Sequence, residues 1–269
     1  MTDLKQIANT IRAECLKAIH AGRSGHPGGS LSIADMLAVL YFDVMNVDPA
    51  QPAWKGRDRF ILSKGHACPS LYVALALKGY FPMEEALKLR KIDSFAEGHP
   101  DVGMPGIDAP SGSLGMGLSQ GLGMALGGRH LGQDFRTHVI LGDGDLQEGN
   151  TWEAIMLAGH KKMDTLVAVY DSNKLQGDAP VATQLNLGDV GAKVATFGWH
   201  VLYVNGHDTD ALKAALEEAK TTKGKPTFIV ADTVKGKGVS FMEGVLFWHG
   251  SVTMTDQQLT DALKELEHA

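Results

Sequence analysis

Cysteine is nearly absent: Cys15 and Cys68 are the only two in 269 residues, they form no CxxC pair, and no HExxH accompanies them. A disulfide framework and a zinc site are therefore not indicated, and both thiols are expected to be buried or incidental. No apolar run is long enough to span a bilayer. The opening MTDLKQIANTIRAECLKAIH sets Leu4, Ile7, Ile11, Cys15 and Ile19 on one helical face. It lacks the continuous apolar core of a signal peptide, so the expectation is a cytoplasmic chain. Basic residues are scattered and the net charge is −6, which removes the electrostatic footprint that DNA or RNA requires. Linkers rich in proline or serine and internal repeats are missing too. With 44% hydrophobic residues the chain can bury a large core, and the undivided sequence favours one domain over residues 1–269.

What the chain does have is an alternation of apolar segments and helical patterns. Strands are expected at Phe60 to Leu62, Val139 to Leu141, Leu166 to Tyr170, Trp199 to Val204 and Pro226 to Val230. Helices are expected from Ser32 to Val44 with Ser32 as N-cap, and over Pro69 to Leu77, Leu114 to Leu126, Thr151 to His160, Thr209 to Lys220 and Thr255 to Glu267. Such alternation predicts an α/β fold, a doubly wound parallel sheet flanked by helices. The stretch GLGMALG is not a dinucleotide fingerprint, because its spacing is GxGxxxG and no strand precedes it.

The segment LGDGDLQEGNTWEAIMLAGHKKMDTLVAVYDSNKL, Leu141 to Leu175, carries the most chemistry. Asp143 and Asn173 would end adjacent parallel strands, outside whose carboxyl ends ligands collect, so the two side chains could converge on one ion. Magnesium suits an Asp plus an Asn, filling its octahedron with phosphates and water. The cation also answers a charge problem. Asp143, Asp145 and Glu148 would each repel a diphosphate by roughly 4 kcal/mol per unit-charge pair at about 4 Å and an effective dielectric near 20, and a divalent ion reverses that sign. Gly142 and Gly144 permit close backbone approach, and a helix starting near Gly149 could aim its amides at the anion. A lone GDG is more often plain turn chemistry. Histidine placement adds weight: His26, His66, His99 and His249 sit in loops flanked by Gly, Pro or Ser, where function concentrates. His20, His130, His138, His160, His200 and His207 are expected to be solvated or satisfied in the core. Lys235 follows a strand, where a cation either binds an anion or, more often, is simply solvated.

From about Ile7 to His249 the chain resembles the transketolases, enzymes that use thiamine diphosphate. Five ordered segments carry the likeness: Ser24-Gly25-His26-Pro27-Gly28-Gly29; Ser63-Lys64-Gly65-His66-Ala67; Gly98-His99-Pro100 leading into Gly112-Ser113-Leu114-Gly115; Gly142 to Asn173; and Lys235-Gly236-Lys237-Gly238 with Trp248-His249-Gly250. The resemblance implies a thiamine diphosphate-binding fold in which Asp143, the Asn173 side chain and the Leu175 carbonyl hold Mg2+, with Ca2+ or Mn2+ as substitutes. It implies that Gly144, His66 and His249 contact the diphosphate, that Gly112 and Leu114 offer backbone groups to the pyrimidine side, and that Glu148 lies toward a subunit interface linking cofactors. His26, His99 and His249 would line the reacting carbon. Breaking a carbon–carbon bond beside a ketone needs an electron sink, which the cofactor supplies, and imidazoles suit the proton movements around it.

A complete transketolase resembles this chain only in its first portion. The chain reaches Ala269 without pyrimidine-binding and third domains, so the expectation is the amino-terminal subunit of a split transketolase. It would need a partner chain that carries the pyrimidine-binding domain, in an α2β2 assembly acting on sugar phosphates. Departures from the family pattern occur at Ser113, Met116, Ala179 after Asp178, and Ser251, near the cofactor or substrate channel. The α subunit of a 2-oxo acid dehydrogenase shares a GDG turn, but its relatives lack SGHPGG and SKGHA. A non-catalytic scaffold is the remaining alternative, and it has no need for Asp143, Asn173 and four histidines together.

Overall fold

The computed structural model describes residues 3–177 and 179–267; Asp178 and the chain end at Ala269 lie outside them. Five segments pair in parallel as β1 (Arg59–Leu62), β2 (Thr137–Gly142), β3 (Leu166–Ser172), β4 (His200–Asn205) and β5 (Thr227–Asp232), in the order β1-β2-β3-β5-β4. Every residue of β2 and β3 is buried, which is why both read as continuous apolar runs, not alternating ones. Helices cover both faces: α1 (Leu4–Gly22), α2 (Pro27–Leu31), α3 (Ala34–Val39), α4 (Cys68–Lys78), α5 (Met83–Ala86), α6 (Gly117–His130), α7 (Gly149–His160), α8 (Val181–Gln184), α9 (Val190–Thr196), α10 (Thr209–Thr221) and α11 (Asp256–Glu267). The doubly wound parallel sheet is as expected. No helix among the described residues is long and apolar enough to cross a membrane. Cys15 and Cys68 are free and buried, and burial pushes both thiols up to about 12.

The direction of winding explains which helix lies where. Three helices, α6, α7 and α9, carry the chain across the sheet from β1 to β2, β3 and then β4, and they pack one apolar layer with Leu118, Leu122, Ile155 and Val194. The return from β4 to β5 runs through α10, whose Leu212 and Leu216 join the opposite layer. A constant crossover hand requires that reversal of direction to switch faces. The chain leaving β1 and β5 also turns to that second layer, through Leu71, Val239 and Met242, while the chain leaving β2 and β3 turns to the first. Between strands whose exits diverge, a crevice opens at the carboxyl edge.

Two local expectations are corrected. Ser32 is not the N-cap of a helix from 32 to 44: it is the C-cap of α2, and the stretch divides into α3 and a π-helical turn, Leu40–Val44. The Ser32 hydroxyl lies 2.8 Å from Asp171 Oδ2 and 3.1 Å from the Gly29 carbonyl, so a buried carboxylate has taken the group that local capping would use. The helix expected from Leu114 starts at Gly117. Gly115 takes φ 83° and donates its N–H to Asp145 Oδ1 at 2.8 Å, a turn no helix accommodates.

Close packing of α7 makes one fold prediction. A Cβ on Gly159 would lie 1.9 Å from the Phe197 carbonyl oxygen, whereas one on Gly123 would meet nothing within 4 Å. Gly159→Ala is expected to cost about 3 kcal/mol and Gly123→Ala to stabilise by up to about 1 kcal/mol, both read from urea midpoints at unchanged m.

Candidate active site

The crevice is a cavity of about 380 Å³. Loops after β1 (Lys64, His66), β2 (Gly142 to Asp145), β3 (Asn173 to Gly177) and β5 (Lys235, His249) line it, together with His26 ahead of α2 and His99, Gly112 and Leu114 from the segment between α5 and α6. The structure thus gathers His26, His66, His99, Gly112, Leu114, Asp143, Gly144, Asn173, Leu175 and His249 around one space. Glu148 is not among them. It caps α7, exposed, with its side chain folded over Gly115. Nor does Gly149 line the cavity, so the amides of α7 are not the anion cradle expected of them.

Asp143 and Asn173 follow adjacent strands whose ends are in register, Gly142 opposite Asp171. Tyr170 Oη donates to Asp143 Oδ1 at 2.6 Å and the Lys174 N–H to Oδ2 at 3.0 Å. Burial outweighs these donors and pushes the carboxyl up to about 6. The Asn173 amide is oriented by a donor bond from Nδ2 to Asp171 Oδ2 (2.9 Å), while its Oδ1 accepts the Leu175 N–H at 3.2 Å. A carboxylate, an amide oxygen and the Leu175 carbonyl make the kind of oxygen set that hard cations take. Asp145 does different work. It is fully buried, accepting from Ser63 Oγ (2.5 Å) and the N–H groups of Gly115 and Gly142 (2.8 Å each), and so ties three cavity loops together.

Three imidazoles pack together, His26 and His249 edge to face and the other two pairs tilted. The centroids of His26, His66 and His249 lie 5.1 to 5.9 Å apart, and the His99 ring lies against Gly112. Burial, then neighbouring cations, lowers His26 to about 4 and His249 to about 3, and takes His66 well below its ordinary value. His99 is lowered by burial and Arg90. All four are therefore neutral near pH 7, each with one N–H and one lone pair.

Two lysines are the residues sequence reasoning undervalued. Lys64, 2% exposed, donates to the Gly29 carbonyl at 2.9 Å and forms a buried ion pair with Asp171. Lys235, far from solvated, is 3% exposed and donates to the Leu175 carbonyl (2.8 Å) and His249 Nδ1 (2.6 Å). Burial and the Lys64 charge lower it to about 8. The buried atoms His26 Nδ1 and Gln176 Nε2 have no partner among the described residues. Two buried cations, unpaired polar atoms and an oxygen donor set fit a diphosphate with its cation. Of the remaining histidines, His20, His200 and His207 meet carboxylates at 2.8 to 2.9 Å and His130 and His160 are exposed. His138 departs from expectation: it is fully buried, and neither ring nitrogen has a partner among the described residues.

Together these define an α/β protein whose cleft, at the carboxyl ends of parallel strands, suits an anion and a hard cation. Residues 4–266 match the family described as transketolase, thiamine diphosphate binding domain, and the chain belongs to that family. It is 45% identical over 266 residues to a 6-deoxy-6-sulfo-D-fructose transketolase subunit from Clostridium sp. (strain MSTE9), covering 98% of this chain and 96% of that one. It is 38% identical over 255 residues to one subunit of the apulose-4-phosphate transketolase of Phocaeicola vulgatus, covering 95% and 90%. Transketolase from Leishmania mexicana superposes with a TM-score of 0.95 at 34% identity, over 99% of this chain and 42% of that longer one. The chain is thus a thiamine diphosphate transketolase component, and the dehydrogenase and scaffold readings are set aside.

Proposed function

We propose that the chain, over residues 1–269 as one diphosphate-binding domain, holds thiamine diphosphate and Mg2+ and works with a second chain carrying the pyrimidine-binding domain in a cytoplasmic α2β2 assembly. The assembly moves a two-carbon ketol unit from a ketose to an aldose acceptor. The carrying observation is the convergence of Asp143, Asn173 and Leu175 with four neutral imidazoles in one cavity. In this reading Asp143, Asn173 Oδ1 and the Leu175 carbonyl hold the cation, with Ca2+ or Mn2+ as substitutes. His66, His249 and Gly144 contact the diphosphate, Lys64 and Lys235 balance its charge, and Gly112 and Leu114 face the pyrimidine. Glu148, exposed beside Gly115, faces the partner interface.

When bound, thiamine diphosphate supplies the electron sink for cleavage beside a ketone. The chain's own share is positioning and proton movement. Because Lys235 donates to His249 Nδ1, His249 keeps its proton on Nε2 and can donate it to a developing alkoxide. His26 and His99, also neutral, can donate to one oxygen and accept from a hydroxyl in the same cycle. Burial strengthens each of these interactions by excluding water. Both split-enzyme relatives are named for sugars with an anionic group, sulfo or phosphate, which supports a donor of that kind. Arg90 carries the matching charge nearby, with Nη1 2.5 Å from Ser24 Oγ and 3.2 Å from Ser251 Oγ.

A native mass spectrum of the complex that co-purifies with the tagged chain tests the assembly. A second chain with cofactor and magnesium retained is expected; a lone cofactor-free oligomer would remove the proposal. In the active complex, His99→Ala is expected to lower turnover at saturating donor by about 10²- to 10⁴-fold. Unchanged turnover would displace His99 from the reacting groups.

A further inference from the structure

Behind the cavity, on the far side of the segment after β5, three side chains and a backbone amide form a continuous polar chain. Arg12 of α1 pairs with Asp35 of α3 through both terminal guanidinium nitrogens, Nη1 lying 3.3 Å from Oδ1, and its Nε reaches the Leu31 carbonyl at 3.3 Å. Asp35 is 4% exposed and also meets His207 Nδ1 at 2.8 Å. The other ring nitrogen, Nε2, accepts the backbone N–H of Val234 at 2.8 Å. A carboxylate accepts and an amide N–H donates, so the proton of His207 must sit on Nδ1 and the ring must be neutral. Lys5, Lys237, Glu243, Lys264 and Glu265 are the other charges lining this side, Lys237 and Glu243 pairing with each other at 3.1 Å.

The turn bearing His207 is pressed onto β5. A Cβ on Gly206 would lie 2.4 Å from Thr233 Cγ2, and His207 N–H is held by Asn205 Oδ1 at 3.0 Å. One residue beyond Val234 stands Lys235, whose ammonium reaches Leu175 and His249.

We propose that His207 is a positioning residue. As a neutral Nδ1–H imidazole braced by Asp35 and Arg12, it grips the Val234 amide and so fixes the backbone that aims Lys235 at the Leu175 carbonyl and His249. The proposal rests on the place given to Lys235 in the active-site reading, but it is read in the full-length chain without cofactor, so failure of either can be told apart.

The test is nitrogen-15 NMR of the labelled full-length chain. His207 is expected to show a protonated Nδ1 and an unprotonated Nε2; a protonated Nε2 would overturn the proposal without any variant. His207→Leu removes the acceptor for Val234, and moving Lys235 away is expected to raise the His249 titration midpoint by about one pH unit, since a departing like charge favours protonation. Lys235→Met is expected to give the same shift. His207→Gln, whose amide oxygen can replace Nε2, is expected to restore the wild-type midpoint. If His207→Leu is merely less stable and leaves His249 unmoved, or if glutamine fails to rescue, His207 is packing only.

Discussion

Replacing Asp143 with alanine in the assembled enzyme is expected to weaken magnesium-dependent binding of thiamine diphosphate by at least about 100-fold, more than loss of a residue behind the ligands typically costs. Isothermal titration of the variant complex measures it, and an unchanged affinity would sink the cation assignment. The pH dependence sharpens the test. Burial sets the Asp143 carboxyl at about 6, above the roughly 3.9 of an unfolded chain. In the cation-free protein the folded state then holds a proton that the unfolded chain has released between those values. This group's contribution to stability therefore falls as pH rises through that window. A bound cation removes the proton and inverts the effect. Thermal stabilisation by saturating magnesium is accordingly expected to be larger at pH 7.5 than at pH 5.5, and the difference should vanish in Asp143→Ala. His26 and His249, lowered to about 4 and about 3, stay neutral in the folded chain across that range and do not supply the difference.

How much of this could be read from the sequence depends on the range of the interaction. Strands buried on both faces leave a local trace, so the runs at Val139 and Leu166 were legible, as was the placing of Asp143 and Asn173 beyond them. Loop histidines between Gly and Pro were legible for the same reason: turn chemistry is local. Long-range capture was not. Ser32 looks like a helix cap until Asp171 reaches its hydroxyl from the end of β3, and Lys235 looks solvated until the chain after β3 brings the Leu175 carbonyl to it. Glu148 marks the opposite case. The acidic turn alone marked it as a charge repelling a diphosphate and only the resemblance set it toward an interface; in the structure it is exposed, its side chain against Gly115. No residue near Lys64 in sequence signals that its charge ends beside Asp171, at full burial.

That pair supplies the largest expected stability effect. Asp171 is fully buried, and burial alone would raise its carboxyl; Lys64, with donors from Thr233 and Ser32, more than reverses this and holds it below the ordinary range. Lys64→Met leaves the carboxylate without its cation and is expected to cost about 3–5 kcal/mol, measured by urea unfolding. The sign with pH follows from the same balance. In the wild type the lowered carboxyl contributes stability above its unfolded value near 3.9, lost as pH falls through its folded value. In the variant, burial is opposed only by the neutral donors and is expected to raise the group, so the folded state loses stability as pH rises. The gap between the two proteins should therefore be wider at pH 7 than at pH 5, and an equal gap would show that lost packing, not charge, is the cause. Adding Asp171→Asn to Lys64→Met removes the stranded charge while keeping an acceptor for the hydroxyls, and is expected to recover at least about 1 kcal/mol. It should not recover the cation site. Asn173 is oriented because Asp171 Oδ2 accepts from its Nδ2 at 2.9 Å, and an amide at 171 no longer dictates which way the Asn173 oxygen points. Stability would return in the double variant while magnesium-dependent cofactor binding stayed weak, separating the pair's structural role from its orienting one.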